Sequence, residues 1–163
     1  EVVPMILKGG GIKNTLIISP PGAGKTTMLR DIVRQLSYKS YRVSVVDERS
    51  EIAALCEGRS AFDLGFSTDV LEGVDKAEGM LMVLRSMSPD VIVTDEIGKQ
   101  SDIDAIERIT NSGAAVIATI HGRNIDMIKR RDDLKRMLKF FDLIITLSKR
   151  KGIGTVEEAL TEW

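Results

Sequence analysis

Short runs of consecutive apolar residues alternate with longer amphipathic stretches along most of the chain. The amphipathic stretches place apolar residues three or four positions apart, which is typical of helices that bury one face. The short continuous runs are typical of strands that are covered on both faces. The pattern predicts strands at Thr15–Ser19, Arg42–Asp47, Val91–Asp95, Ala115–Ile120 and Leu143–Leu147, and helices at Lys25–Leu36, at Lys76–Met87 and from a Ser101 cap to Gly113.

The order of these elements predicts the fold class. Strands that alternate with helices of 10–15 residues favour an α/β fold with a mostly parallel sheet and helices on both faces. A last strand, Thr155–Leu160, is expected to pair with Leu143–Leu147 as a C-terminal β-hairpin. The segment Ser50–Gly73 has no clear period, and we interpret it as a surface excursion with one short helix.

Composition limits the possible classes of protein. The chain has 163 residues, enough for one ordinary domain, and its 43% hydrophobic and 29% charged residues exclude a disordered or fibrous chain. The net charge of −1 gives no reason to expect a nucleic-acid partner. A single histidine excludes a multi-histidine metal site within the chain.

The strongest chemical signal follows the first predicted strand, where residues 19–27 are SPPGAGKTT. This is the P-loop pattern with serine in place of its first glycine. Glycines in such a loop let successive backbone N–H groups point into one cavity, and the helix that follows adds its positive N-terminal end. Lysine can reach the β and γ phosphates of a nucleotide, and the next threonine can bind Mg²⁺. We therefore predict phosphate contacts from Pro21, Gly22, Ala23, Gly24, Lys25, Thr26 and Thr27, with Thr26 also a metal ligand.

Two acidic clusters follow other predicted strands. The first, Asp95-Glu96, ends an apolar strand as in a Walker B segment, so we expect Asp95 to hold Mg²⁺ through a water and Glu96 to polarise the attacking water. The second, Asp47–Glu51, should lie at the same edge, because the carboxyl ends of parallel strands share one rim. A general base could come from either cluster.

One histidine and one arginine complete the candidate site. His121 closes the fourth strand and is expected at the same rim, as a γ-phosphate sensor or a relay between subunits. Arg85 could balance phosphate charge or pair with an acidic residue of the rim.

Basic runs at 129–131, 135–136 and 149–151 make the C-terminal third positively charged. We interpret them as solvated faces, with contact to a membrane surface, a partner or nucleic acid as the alternative.

Longer strings give a specific resemblance. Residues 84–98 resemble the Walker B region of type II/IV secretion ATPases, residues 47–51 their Asp box, and residues 118–122 their His box. The combination of VVDERSEIA, KAEGMLMVLRSMSPDVIVTDEIG and LSKRKGIGTV is similar to the stage III sporulation protein AA family. This similarity extends from about Leu16 to Leu160.

The resemblance implies a RecA-like P-loop ATPase domain at residues 15–163, with residues 1–14 a linker or the end of an N-terminal domain. It implies Mg-ATP bound between neighbouring subunits, usually of a hexamer. It further implies a cytoplasmic motor on the mother-cell side, associated with membrane-embedded channel proteins between mother cell and forespore. By position, Lys25 and Thr26 would bind phosphate and Mg²⁺, Glu96 would be the Walker B acid, Glu48 and Glu51 would belong to the Asp box, and His121 and Arg85 would be the His-box and pre-Walker-B residues.

Three other functions stay open. A small-molecule kinase would need a lid rich in arginine, and no such insertion is evident. A nucleic-acid-dependent ATPase is not expected, because the net charge is nearly neutral and aromatic residues are scarce. A nucleotide switch without hydrolysis would carry the same P-loop.

Overall fold

A computed structural model describes residues 2–163, which form one seven-stranded sheet with helices on both faces. The strands are β1 (Thr15–Ser19), β2 (Val43–Asp47), β3 (Leu55–Cys56), β4 (Arg59–Ser60), β5 (Thr68–Glu72), β6 (Val91–Thr94), β7 (Ala115–His121), β8 (Leu143–Ser148) and β9 (Thr155–Leu160). The helices are α1 (Val3–Ile6), α2 (Lys25–Tyr38), α3 (Lys76–Ser86), α4 (Gln100–Asn111), α5 (Ile125–Lys129) and α6 (Asp132–Lys135), followed by a 3₁₀ helix at Arg136–Phe140.

The sheet order is β5-β2-β6-β7-β1-β8-β9, and every neighbouring pair is parallel except β8–β9. The residues of β1, β2 and β6 are buried throughout, as expected for strands covered on both faces. Helices α1 and α2 share one apolar cluster with one face of the sheet, and α3 and α4 share another with the opposite face. These features confirm the predicted α/β fold, and the antiparallel β8–β9 pair confirms the C-terminal hairpin.

The prediction for Ser50–Gly73 is wrong, because this segment contains strands and no helix. A small β3–β4 hairpin is followed by β5, which pairs with β2 and forms one edge of the large sheet. As an edge strand, β5 has only two partly buried apolar residues, Val70 and Leu71, among polar ones. Its pairing with β2 therefore depends on tertiary contacts that local periodicity does not show.

The predicted cap of α4 is also wrong. The helix begins at Gln100, and Asp102 caps its N-terminus by accepting hydrogen bonds from the N–H groups of Gly98 and Lys99, each at 2.9 Å. Ser101 therefore lies inside the first turn.

The N-terminal segment packs on the domain. Val3 and Ile6, both in α1, are buried in the same apolar cluster as Leu29 and Ile32 of α2. The first turn of the chain therefore covers the face of the sheet that also carries α2. That residues 1–14 link to a further domain stays a prediction.

None of the helices formed by residues 2–163 is long and apolar enough to cross a bilayer. The parallel strands β1, β2, β6 and β7 all end at one edge of the sheet. The loops after these strands carry the P-loop, both acidic clusters and the histidine, which places the candidate chemistry along a single rim.

Candidate nucleotide site

The P-loop connects the end of β1 directly to the first turn of α2. Gly22 has φ +68° and Gly24 has φ +89°, a left-handed conformation that glycine adopts without strain. A Cβ on Gly24 would lie 2.7 Å from Cγ2 of Ile153. Ser19 is buried on β1 with its hydroxyl bonded to the carbonyl of Pro20, so serine fits where the general pattern has glycine.

Lys25, the first residue of α2, forms an ion pair with Oε1 of Glu96 at the end of β6. The other oxygen of Glu96 lies 3.0 Å from the guanidinium of Arg49. Glu96 has φ +33°, uncommon for a residue with a side chain, and its N–H bonds to the Thr119 hydroxyl at 2.8 Å. The surrounding hydrogen bonds thus hold the backbone of Glu96 in this uncommon conformation, and its carboxylate contacts Lys25 of the P-loop.

The electrostatics of this cluster keep Glu96 ionised. The hydrogen bond from Lys25 lowers the pKa of Glu96 below its ordinary value, electrostatic interactions with Lys25, Arg49 and His121 act in the same direction, and partial burial opposes them. A carboxylate with a lowered pKa is fully charged at neutral pH.

The neighbouring Asp95 has a different environment. It is 1% exposed, and the ammonium of the buried Lys76 lies 3.2 Å from its Oδ1. Within residues 2–163, neither oxygen of Asp95 accepts a hydrogen bond of good geometry. Lys76 also donates to the carbonyl of Glu96 at 3.2 Å and lies 3.7 Å from Glu48. It therefore supplies the counter-charge that two buried or half-buried carboxylates need.

In the second acidic cluster, the first residue has a structural role. Asp47 is fully buried, and its carboxylate accepts the N–H groups of Glu51, Ile52 and Ala53 at 2.8–2.9 Å. These bonds fold the loop after β2 so that Glu48 faces Lys76 and Arg49 faces Glu96. The side chain of Glu51 is exposed.

The predicted histidine lies at the site, whereas the predicted arginine does not. His121 ends β7 opposite Ser19 of β1, and with Glu96 it lines a cleft of about 380 Å³. Arg85 is exposed near the end of α3; at about 1.5 Å of rise per residue it lies roughly 13 Å along the helix axis from Lys76. Within this chain, Arg85 thus lies away from the rim.

Sequence reasoning did not identify four residues of this region: Arg49, Lys76, Thr119 and Lys149. Arg49 lies within the second acidic cluster, where a positive charge among carboxylates could have indicated an ion pair at the rim. The contacts of the other three depend on how strand ends and loops are placed in the sheet, which local pattern does not show.

The residues present fit a nucleotide with a divalent cation. Gly22 and Gly24 let the loop backbone adopt left-handed conformations, Lys25 and Thr26 lie at the start of α2, and Asp95 offers carboxylate oxygens that lack hydrogen bonds. No group of three or more His, Cys, Asp or Glu suited to a metal occurs within residues 2–163. Mg²⁺ typically binds through one or two carboxylates together with phosphate oxygens. A pocket of about 250 Å³ next to the loop is lined mostly by apolar residues, Val2, Val3, Met28, Ile32 and Ile153, together with Thr27 and Asp31.

Solved structures share this fold at low sequence identity. The VirB11 ATPase from the type IV secretion system of Brucella suis superimposes with a TM-score of 0.68 at 14% identity, over 99% of this chain and 51% of that one. The pilus retraction motor PilT with bound ADP gives a TM-score of 0.65 at 20% identity, over 89% of this chain and 44% of that one. At these identities the likeness shows the RecA-like ATPase fold alone.

Sequence comparison identifies the family. The family model for sporulation stage III, protein AA, matches residues 1–162. Stage III sporulation protein AA of Bacillus subtilis (strain 168) is 43% identical over 152 residues, which cover 89% of this chain and 50% of that protein. The chain thus spans about half the length of this relative. The match along nearly the whole chain and the identity to the Bacillus protein together show that this chain belongs to the sporulation stage III protein AA family.

Proposed function

We propose that this domain binds and hydrolyses Mg-ATP and couples hydrolysis to a conformational change. The observation that carries the proposal is the contact between Glu96 and Lys25. It brings a candidate general base to the lysine that marks the phosphate-binding loop. Glu96 also has an uncommon backbone conformation, φ +33°, and such conformations cluster at functional sites, which supports a catalytic role.

Binding would use the P-loop. Its backbone and Lys25 would hold the phosphate chain, while Thr26 and Asp95 would provide ligands for Mg²⁺. The cation would supply positive charge that neutralises the phosphate oxygens during transfer. The apolar pocket beside the loop would accept the nucleoside part of ATP.

Hydrolysis would use Glu96 to orient a water molecule and accept its proton. The Glu96 carboxylate is ionised at neutral pH and can accept a proton. The hydrogen bond from Lys25 lowers the pKa of Glu96, so a phosphate that draws Lys25 away would make this carboxylate a stronger base. Glu48 is the weaker candidate, because its carboxylate faces Lys76 and Lys99 rather than the P-loop lysine. His121 lies close enough to Glu96 to help lower its pKa, and this position at the rim suits a residue that senses the γ-phosphate.

The direct test is phosphate release from ATP by the purified chain, with Mg²⁺ and with excess chelator. We expect release that depends on Mg²⁺ and is abolished by Lys25→Ala. Lys39→Ala is the matched control, since it removes the same charge from the exposed end of α2. Equal phosphate release by wild type and Lys25→Ala would contradict the proposal.

We further propose that the full-length protein works as a homo-hexamer on the mother-cell side of the membrane, bound to channel proteins in that membrane. Family membership and the fold shared with VirB11 and PilT support this. In such a ring, Arg85 would act on a neighbouring subunit, because it lies away from the site of its own chain. Light scattering with and without Mg-ATP tests the assembly; a mass of six chains is expected, and a single-chain mass in full-length protein would exclude it.

A further inference from the structure

The turn between β8 and β9 rests on the P-loop. Gly154 donates its N–H to the carbonyl of Ala23 at 2.9 Å, which joins the turn to the loop backbone. Cγ2 of Ile153 occupies the space that a side chain on Gly24 would need. The C-terminal hairpin is therefore attached to the loop that binds phosphate.

This attachment brings a second lysine to the loop. The ammonium of Lys149 lies 3.0 Å from the position that a Cβ on Gly22 would occupy, and its Cε lies 3.6 Å from it. Lys149 is exposed, as interpreted for residues 149–151, and its charged end lies beside the loop.

The charge of Lys149 lacks a counter-ion within the protein. Among residues 2–163, no carboxylate lies within 4.0 Å of its ammonium, whereas Lys25 pairs with Glu96 and the next residue, Arg150, lies 3.8 Å from Glu157. P-loop N–H groups favour an anion and disfavour a cation placed against them. Water solvates the exposed ammonium of Lys149 in the free protein, and an anion bound to the same loop would give it a partner of opposite charge.

We propose that Lys149 is a phosphate-binding residue of its own chain's nucleotide site, carried to the P-loop by the β8–β9 turn. This rests on the proposed function, because it takes the phosphate chain of a nucleotide as the anion. Lys25 approaches that chain from the start of α2, and Lys149 approaches it from the hairpin. Nucleotide binding would thereby tighten the contact between the hairpin and the loop.

The test compares ATP affinity of Lys149→Gln and Lys151→Gln at one ionic strength. Lys151 is exposed on the same turn, so both changes remove one positive charge. A charge-assisted hydrogen bond is worth enough to predict a loss of about tenfold or more in ATP affinity for Lys149→Gln. We expect little change for Lys151→Gln, and near wild-type affinity for Lys149→Arg.

Unfolding temperatures measured without nucleotide separate phosphate binding from support of the hairpin. Lys149→Gln should melt with wild type while binding ATP more weakly. Competition by inorganic tripolyphosphate should weaken by a similar factor, because this probe carries phosphates and no nucleoside.

The outcomes distinguish the two proposals. Equal ATP affinities of Lys149→Gln and Lys151→Gln, with Lys25→Ala impaired, would overturn the role of Lys149 and leave the proposed function intact. A wild-type chain that binds no ATP would overturn both. A lower unfolding temperature of Lys149→Gln, with the same affinity once folded, would assign Lys149 to hairpin packing and reject phosphate binding.

Discussion

Lys25 and Glu96 form an ion pair that connects the start of α2 to the end of β6. The guanidinium of Arg49 lies against the second oxygen of the same carboxylate. In the proposed function, phosphate would compete with Glu96 for the ammonium of Lys25, so nucleotide binding would change the surroundings of the candidate base. Single substitutions at this contact therefore test ATP binding, hydrolysis and stability.

Replacing Glu96 by glutamine should separate ATP binding from hydrolysis. The amide has nearly the shape of the carboxylate but cannot accept a proton, and loss of a general base typically lowers rates by about 10²–10⁴. ATP affinity should stay the same or rise, because Lys25 loses its competing anion. Single-turnover phosphate release and equilibrium ATP binding measure the two effects. Unchanged hydrolysis in Glu96→Gln, with a large loss in Glu48→Gln, would move the base to Glu48.

Acid should weaken the fold partly through Glu96. Its pKa in the folded protein is below the ordinary 4.5, so the folded state favours the charged form. This contribution is complete above about pH 4.5 and is lost as the pH falls through the lowered pKa. The pair is partly exposed, so we expect it to be worth at most about 1 kcal/mol.

Urea unfolding of wild type and Glu96→Gln at several pH values measures this difference. The stability of the variant should depend less on pH between about pH 5 and pH 3. Glu158→Gln is the control, because Glu158 is exposed on β9. A wild-type slope in Glu96→Gln would show that the pair contributes nothing to stability.

The residues of the rim could be predicted from sequence because the strands that precede them are identified by local hydrophobic pattern. Continuous apolar runs identified β1, β2, β6 and β7, and parallel strands expose their carboxyl ends at one edge. Residues in or just after the loops that follow those strands, such as Lys25 and Glu96, were therefore expected at the same edge of the sheet. The structure brings them into contact.

The hairpin contact could not be predicted because it depends on strand order. β8 lies beside β1 in the sheet, so the turn after β8 reaches the loop after β1, although about 130 residues of sequence separate them. Periodicity places a strand on the chain but does not select its neighbours. The same reason explains why β5, with few apolar residues, was not predicted.

The buried carboxylate of Asp47 should be important for stability rather than for chemistry. It accepts three backbone N–H groups, two of them on one oxygen. In Asp47→Asn, the amide keeps one acceptor oxygen, but its NH₂ group faces backbone N–H groups that are donors as well. We expect this change to lower the unfolding free energy by about 2–3 kcal/mol. Asp69→Asn, on the exposed side of β5, should change stability by less than about 0.5 kcal/mol. Equal unfolding midpoints in urea for both variants would contradict this role.

Two glycines with nearly the same backbone conformation should respond differently to alanine. Gly24 and Gly113 have φ of +89° and +90°, so alanine pays a similar conformational penalty of about 1–2 kcal/mol at either. A Cβ on Gly113 would meet nothing within 4 Å, whereas on Gly24 it would collide with Ile153. Gly113→Ala should therefore lose stability and keep its ATP affinity. Gly24→Ala should lose more stability, and it should also bind ATP at least about tenfold more weakly, because a loss of about 1.4 kcal/mol in binding free energy is a factor of ten in affinity. Adding Ile153→Ala to Gly24→Ala should recover part of the stability, because it removes the colliding methyl group. If the double variant is no more stable than Gly24→Ala, the hairpin does not press on the P-loop in solution.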